Sequence, residues 1–172
     1  MLADINSDKI KELLKDMENV DLKTKEDVRN FVTSFTKLTY DFLMFGLIYD
    51  FYEEDVEVLK ENRVRIKGIE EVVIDRQELL AAFPNLTTRI EKIIVSGNAE
   101  DGYKIFRRMF YEGKNTGASC FGPPTGKLLG SACLGLSMFY MKKYNGMWKI
   151  THEMDMRSAE WIQKTMTMDS VK

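Results

Sequence analysis

The sequence predicts an α+β fold in which a curved antiparallel sheet packs on N-terminal helices. Apolar residues follow helical spacing through the first part of the chain, whereas from Thr87 to Met156 they mostly recur with the period of strands. Helices and strands segregated along the chain in this way are typical of α+β domains. The sequence has no linker, repeat or low-complexity stretch. The 172 residues are therefore expected to form one domain, 1–172, with an N-terminal helical extension over about 1–24.

Two helices are predicted at the start of the chain. Ser7 is the expected N-cap of the first helix. Thr24 is the expected N-cap of the second, with Asp27 three residues on to complete the capping arrangement. Apolar residues then recur every three or four positions over 28–45, which predicts one long helix against the core, with Gly46 as its stop or kink.

The spacing then becomes that of strands. Residues 56–61 and 63–68 predict a short charged hairpin at a sheet edge, and residues 69–84 predict a helix that ends before Pro84. Four longer strands are expected over 87–95, 103–112, 131–144 and 147–156, the last two joined by a turn at Asn145–Gly146. Residues 158–166 predict a short helix or an ordered tail.

Composition excludes several functional classes. The net charge is −2 and no basic stretch is present, so a nucleic-acid partner is not expected. The longest apolar segment, 42–52, is interrupted by Asp50 and is too short to cross a membrane, and the N-terminal sequence does not resemble a signal peptide. Two cysteines and one histidine match no metal spacing. We therefore expect a cytoplasmic protein with free thiols and with neither metal nor cofactor.

The segment "FGPPTGK" at 121–127 has a superficial likeness to a phosphate-binding loop. Only three residues separate Gly122 from Gly126, where such a loop has four, and Leu128 follows Lys127 in place of the magnesium-binding Ser or Thr. The stretch that follows alternates like a strand, whereas a phosphate loop opens a helix. A nucleotide site is therefore not expected here.

Six short motifs in order over about residues 31–165 give the chain a resemblance to a known family. They are "YEEDV" (52–56), "GIEEV" (68–72), "FPNL" (83–86), "GKNTG" (113–117), "FGPPTGK" (121–127) and "GMWKITHEMD" (146–155). Together they resemble the SnoaL-like polyketide cyclases of the nuclear transport factor 2-like superfamily. The resemblance implies a cone of curved sheet around an internal pocket. It also implies Asp155 as a catalytic residue, and it places Asn115 where the family often has a histidine.

The last strand supplies the first candidates for chemistry. Simple alternation groups His152 with Trp148, Ile150, Met154 and Met156, an apolar set expected to face the interior. The only histidine of the chain would then be positioned for proton transfer, or would be a satisfied buried histidine. Tyr140 is expected near His152 across the hairpin, either as an oxyanion donor or as an aromatic core residue.

Substrate-binding candidates come from the neighbouring elements. Arg107 and Arg108 are adjacent on one strand, so one of them must face inward, to pair with a buried carboxylate or to bind an anionic group. Arg107 is taken as the candidate, together with Asn115, Tyr40, Met138 and Met154. Both sides of the strand over 131–144 are largely apolar, which predicts a pocket on one side and a homodimer partner on the other.

The resulting functional expectation is a cofactor-independent enzyme that performs cyclisation, isomerisation or dehydration of a small apolar carbonyl compound. His152, Tyr140 and Asp155 are its expected catalytic residues. The alternative is a non-catalytic small-molecule-binding or dimerisation module of the same fold.

Overall fold

The computed structural model describes residues 2–18, 20–120, 122–129 and 133–166. The helices are α1 (Leu2–Leu14), α2 (Lys25–Thr36), α3 (Gly46–Phe51), α4 (Ile69–Ala82) and α5 (Ala159–Met166). The strands are β1 (Tyr52–Lys60), β2 (Arg65–Lys67), β3 (Thr87–Asn98), β4 (Gly102–Glu112), β5 (Leu134–Tyr144) and β6 (Met147–Met156). The predicted α+β class is confirmed. Among the described residues, no helix combines the length and apolar character needed to cross a membrane.

The helical part follows the predicted pattern with two differences. Thr24 and Asp27 form the expected capping box at the start of α2. The predicted N-cap Ser7 lies inside α1, which begins at Leu2. The long helix predicted over 28–45 is also wrong in extent, because α2 ends at Thr36 and continues as a π-helical turn, Lys37–Asp41. Gly46, expected to end that helix, begins α3 instead.

The strands form one six-stranded sheet in the order β2-β1-β6-β5-β4-β3. The β1–β2 hairpin lies at one edge, as predicted, and β3 to β6 pair antiparallel to their sequence neighbours. β1 pairs parallel to β6, an arrangement that the sequence did not predict. The last long strand is therefore an inner strand of the sheet.

A β-bulge interrupts β6 and decides which side chains enter the core. Met141 of β5 pairs with Ile150, but the next residue back along β5, Tyr140, pairs with His152. Thr151 is thus an extra residue in β6. Because side chains alternate across a strand, one inserted residue moves every later side chain to the opposite face of the sheet.

Two apolar clusters fill the interior, separated by a polar layer. The larger cluster joins α2, α3 and the N-terminal half of α4 to the sheet. The smaller cluster lies against α5 and the C-terminal end of α4. Along α4 and β4, a polar residue stands between the contributions to the two clusters. We define this polar layer by six buried residues: Thr36, Arg76, Arg107, Ser137, Glu153 and Asp155.

Candidate functional site

The eight site residues predicted from the sequence are divided between the interior and the outer face of the sheet. The interior set has exposed fractions of 3% or less and consists of Tyr40, Arg107, Asn115 and Asp155. The outer set is half-buried or exposed and consists of Met138, Tyr140, His152 and Met154. The structure therefore does not bring the three expected catalytic residues together.

The prediction that His152 points into the interior is wrong. The extra residue in β6 turns His152 and Met154 outward and turns Glu153 and Asp155 inward. Trp148 precedes the bulge and is buried, as expected. The catalytic role predicted for His152 required a ring that faces the interior, and the structure does not place it there.

His152 and Tyr140 are nevertheless neighbours, as the hairpin pairing predicted. Their rings lie 6.3 Å apart in an edge-to-face arrangement, and Nδ1 of His152 lies 3.1 Å from Oγ1 of Thr151. The two residues line an open groove of about 530 Å³ on the outer face, together with Glu57 and Arg65. In this position they belong to the surface of the protein.

Asn115 holds the loop that follows β4. Its amide nitrogen donates to the carbonyl oxygen of Ala82 at 2.8 Å. Its side-chain oxygen accepts from the backbone N–H and the hydroxyl of Thr125 at 2.8 and 2.9 Å. These bonds fix the segment around Gly126 against α4. Asn115, which stands where the resemblance places a histidine, therefore holds this loop in position.

Charged residues of the polar layer are linked through Arg76. This guanidinium donates to Asp155 at 2.9 Å, to Glu153 at 3.2 Å and to Asp75 at 2.9 Å. Arg76 and Glu153 are 3% and 2% exposed, and the hydroxyl of Tyr52 donates to Glu153 at 2.7 Å. Buried carboxylates need such cationic or hydrogen-bonding partners.

Asp155 uses only one of its two carboxyl oxygens in these contacts. Its Oδ2 accepts from Arg76 and from Nε of Arg157 at 2.5 Å, whereas Oδ1 is buried and has no partner among the residues that the structure describes. Burial, together with the nearby charge of Glu153, raises the pKa of Asp155 from 3.8 to about 7 against the opposing effect of Arg76. The carboxyl therefore combines a fixed orientation, an unoccupied oxygen and a pKa near neutrality, which suits proton transfer at neutral pH.

Three hydroxyl groups close to this carboxyl also have no hydrogen-bond partner within the described part of the chain. They belong to Ser137, which pairs with Asp155 across β5 and β6, and to Tyr40 and Tyr111, whose rings meet edge to face at 5.6 Å. Burial raises the pKa of both tyrosines, so both are neutral donors near neutral pH. Buried polar groups without partners are uncommon in folded proteins and several in one place are consistent with a ligand site.

Tyr40 reaches this position because α2 ends in a π-helical turn. The N–H of Phe42 donates to the carbonyl oxygen of Lys37, which gives the turn one more residue than an α-helical turn has. Such turns frequently occur at functional sites. The turn directs Tyr40 against Tyr111 and against the guanidinium of Arg76, which lies 5.5 Å from the centre of the Tyr40 ring.

Of the two adjacent arginines, Arg107 is the one that faces inward. It is 3% exposed, whereas Arg108 lies on the outer face and pairs with Glu91 at 2.7 Å. Arg107 donates to the hydroxyl of Thr36 at 2.6 Å, and its Nε has no partner. The sequence left open which of the two arginines faces inward, and the structure shows that it is Arg107, the residue taken as the candidate.

Four residues of this region were missed by the sequence-based reasoning: Arg76, Tyr111, Ser137 and Glu153. A signal existed for Arg76, because it lies at helical spacing between Val72 and Leu80 on the buried face of α4. A charged residue at such a position indicates a buried partner. Tyr111 and Ser137 carry no comparable signal in the sequence.

Comparison with known proteins identifies the fold. No protein-family model and no curated protein sequence matches the chain. A solved structure described as a SnoaL-like polyketide cyclase from Jannaschia sp. CCS1 is similar at a TM-score of 0.58 and 12% identity, over 77% of this chain and 89% of that one. Nuclear transport factor 2 from Cryptosporidium parvum is similar at a TM-score of 0.56 and 14% identity, over 76% and 90% of the two chains.

A hexachlorocyclohexane dehydrochlorinase is also similar, at a TM-score of 0.56 and 13% identity, over 73% of this chain and 80% of that one. Identities this low show a shared fold. The chain therefore has the nuclear transport factor 2-like, cystatin-like fold that its sequence motifs implied, and SnoaL-like proteins are among those that share it.

Proposed function

We propose that this chain of the nuclear transport factor 2-like fold is a cofactor-independent enzyme that exchanges protons with a small carbonyl compound in its polar layer. Asp155 is the acid–base residue. The proposal depends most on one observation: Oδ2 of Asp155 is held by two guanidinium groups while its buried Oδ1 has no partner. The similarity to a SnoaL-like cyclase and to a dehydrochlorinase is consistent with an enzymatic role.

The chemistry follows from the charges of the layer. The ionised carboxylate of Asp155 removes a proton from the carbon next to the substrate carbonyl, and the negative charge passes to the carbonyl oxygen. The neutral hydroxyl of Tyr40 donates to that oxygen and stabilises the enolate. Asp155 then returns the proton, to the same carbon or to a different one, which gives exchange or isomerisation.

A cavity of about 290 Å³ supplies the approach to this layer. It lies between α4 and α5 and is lined by residues that include Asp75, Arg157, Ile162 and Met166. Arg157 lines the cavity and donates to Asp155, so one side chain separates the cavity from the candidate base. Asp155 itself is fully buried, and a substrate reaches it once Arg157 or α5 moves.

The proposal is tested by exchange of solvent deuterium into a panel of cyclic ketones, followed by NMR. Asp155→Asn should lower the rate of α-proton exchange by about 10²–10⁴-fold, the usual contribution of a general base. Asp101→Asn makes the same change at an exposed turn and should leave the rate unaltered. Loss of exchange in His152→Gln instead of Asp155→Asn would assign the chemistry to the outer groove.

The alternative is a module that binds a ligand without converting it. It is favoured by the complete burial of Asp155 and by the apolar clusters on both sides of the polar layer. Retention of a ketone by the wild-type protein without any α-proton exchange would support this alternative.

We also propose that the outer face of the sheet carries a second copy of this chain. Ile94, Met154 and Met156 are 51%, 42% and 45% exposed there, beside the half-buried Leu136 and Met138. An apolar face of this kind is typical of protein interfaces. Sedimentation of the wild-type protein as a dimer and of Met154→Glu as a monomer would support the proposal, and a monomeric wild type would refute it.

The proposed compartment is the cytoplasm. Both cysteines are free, and burial raises the pKa of Cys133 to about 12, which keeps it as an unreactive thiol.

A further inference from the structure

Arg107 is a buried cation without an anionic partner among the described residues. It is 3% exposed, yet within residues 2–18, 20–120, 122–129 and 133–166 its side chain makes one hydrogen bond, to the neutral hydroxyl of Thr36. The guanidinium also lies 5.6 Å from the centre of the Phe139 ring. The charge of Asp155 acts on Arg107 at longer range, but a buried guanidinium that no described carboxylate contacts directly is still unfavourable in a folded protein. Such a group persists when its partner is supplied by a ligand.

The carboxylates closest in the fold are already engaged by other residues. Asp155 and Glu153 accept from Arg76, and Asp155 accepts in addition from Arg157. Asp41, at the end of the π-helical turn, pairs with Lys37 and accepts from Thr88. None of these carboxylates lies within ion-pair distance of Arg107 in the part of the chain that the structure describes.

Unpartnered hydroxyl donors surround the same guanidinium. Ser137 is the direct cross-strand partner of Arg107 on β5, and its Oγ has no hydrogen bond. Tyr111 lies on the same face of β4, four residues along, and its hydroxyl is also unpartnered. One cationic donor and two neutral donors facing the interior form a set that recognises anionic oxygen.

We infer that the ligand of the polar layer carries a carboxylate group, which pairs with Arg107 and accepts hydrogen bonds from Ser137 and Tyr111. The inference rests on the proposed function, because it places the ligand in the same interior layer, and it specifies the class of substrate: a small carboxylic acid whose remainder packs on the apolar clusters. A planar carboxylate matches the planar guanidinium, which can donate to it through its free Nε.

Binding of acetate, benzoate and cyclohexanecarboxylate, each compared with its neutral carboxamide, tests this inference by isothermal titration calorimetry. Wild-type protein should bind the carboxylates at least tenfold more tightly than the carboxamides. Arg107→Gln should lose that preference. Arg108→Gln is the matched control, because it removes the neighbouring charge on the opposite face and should bind as the wild type does.

A second readout separates ligand recognition from a structural role. Arg107→Met removes a buried charge that has no direct ion pair among the described residues and should raise the Tm of the ligand-free protein, while abolishing the rise in Tm that the bound carboxylate gives the wild type. An arginine that served only to stabilise the fold would lower the Tm when replaced.

Equal binding of carboxylates and carboxamides, retention of carboxylate binding by Arg107→Gln, or failure of the whole series to bind would overturn the inference. These outcomes are distinct from failure of the proposed function. That failure is defined by unchanged α-proton exchange of neutral ketones in Asp155→Asn, which is measured separately from carboxylate binding at Arg107.

Discussion

Replacement of Arg76 by methionine provides the most direct test of the polar layer. In the wild type this side chain contacts three carboxylates. After replacement, Asp75 retains Lys60 and Arg157, and Asp155 retains Arg157, but Glu153 is left with only the hydroxyl of Tyr52. Methionine approximates the length of the arginine stem, so the main loss is the charge and not the packing.

The expected cost follows from the burial of Glu153, which is 2% exposed. Removal of one partner from a buried ion pair destabilises a protein by about 3–5 kcal/mol. For a chain of this size, each kcal/mol lowers the Tm by about 2–4 °C, so a decrease of about 6–20 °C is expected. Urea unfolding followed by far-ultraviolet circular dichroism at pH 7 measures the free energy.

Two further variants complete this experiment. Arg108→Met breaks the exposed pair with Glu91 and should change the free energy of unfolding by less than about 1 kcal/mol. Adding Glu153→Gln to Arg76→Met removes the stranded charge and should restore a large part of the loss. If Arg76→Met costs no more than Arg108→Met, the layer is solvated and the reasoning on its buried charges fails.

Three other predictions concern individual residues. Burial raises the pKa of Asp155 to about 7. The stability that the protonated carboxyl gives the fold is therefore fully present below about pH 4 and is lost as the pH rises through 7. The loss is at most about 4 kcal/mol, and urea unfolding from pH 4 to 8 should show a flatter pH profile for Asp155→Asn. Gly135→Ala places a Cβ 2.7 Å from Cε2 of Tyr111 and should cost about 1–3 kcal/mol; an unchanged unfolding midpoint would contradict that contact. His152→Ala removes an exposed side chain and should change stability by less than about 0.5 kcal/mol, with a larger loss indicating an unrecognised buried contact.

Most of the architecture could be predicted from the sequence because it depends on periodic patterns. The capping box at Thr24, the end of the fourth helix before Pro84 and the four long strands all follow from local spacing. The resemblance carried by the six motifs added the expectation of a curved sheet around an internal pocket. The parallel pairing of β1 with β6 could not be predicted in this way, because it joins segments that are distant in the chain.

The candidate site was predicted less well because the face of the sheet on which its β6 side chains lie depends on one extra residue, Thr151. Alternation assigns Trp148 and Ile150 to the interior correctly, and the same rule fails after the extra Thr151. A threonine in a strand does not indicate a bulge, since it is a favoured strand residue. Asp155 was included only because the family resemblance implied it; alternation placed it outside, whereas the structure buries it.

The position of β6 in the middle of the sheet has a consequence for biosynthesis. Its neighbours are β1, from the first half of the chain, and β5, from the second. While the ribosome is still making residues 147–156, the hairpin of β1 and β2 and the meander of β3 to β5 have no strand to join them. The nascent chain must therefore keep two incomplete apolar surfaces apart until β6 emerges, and its slow step is expected to be the insertion of that strand.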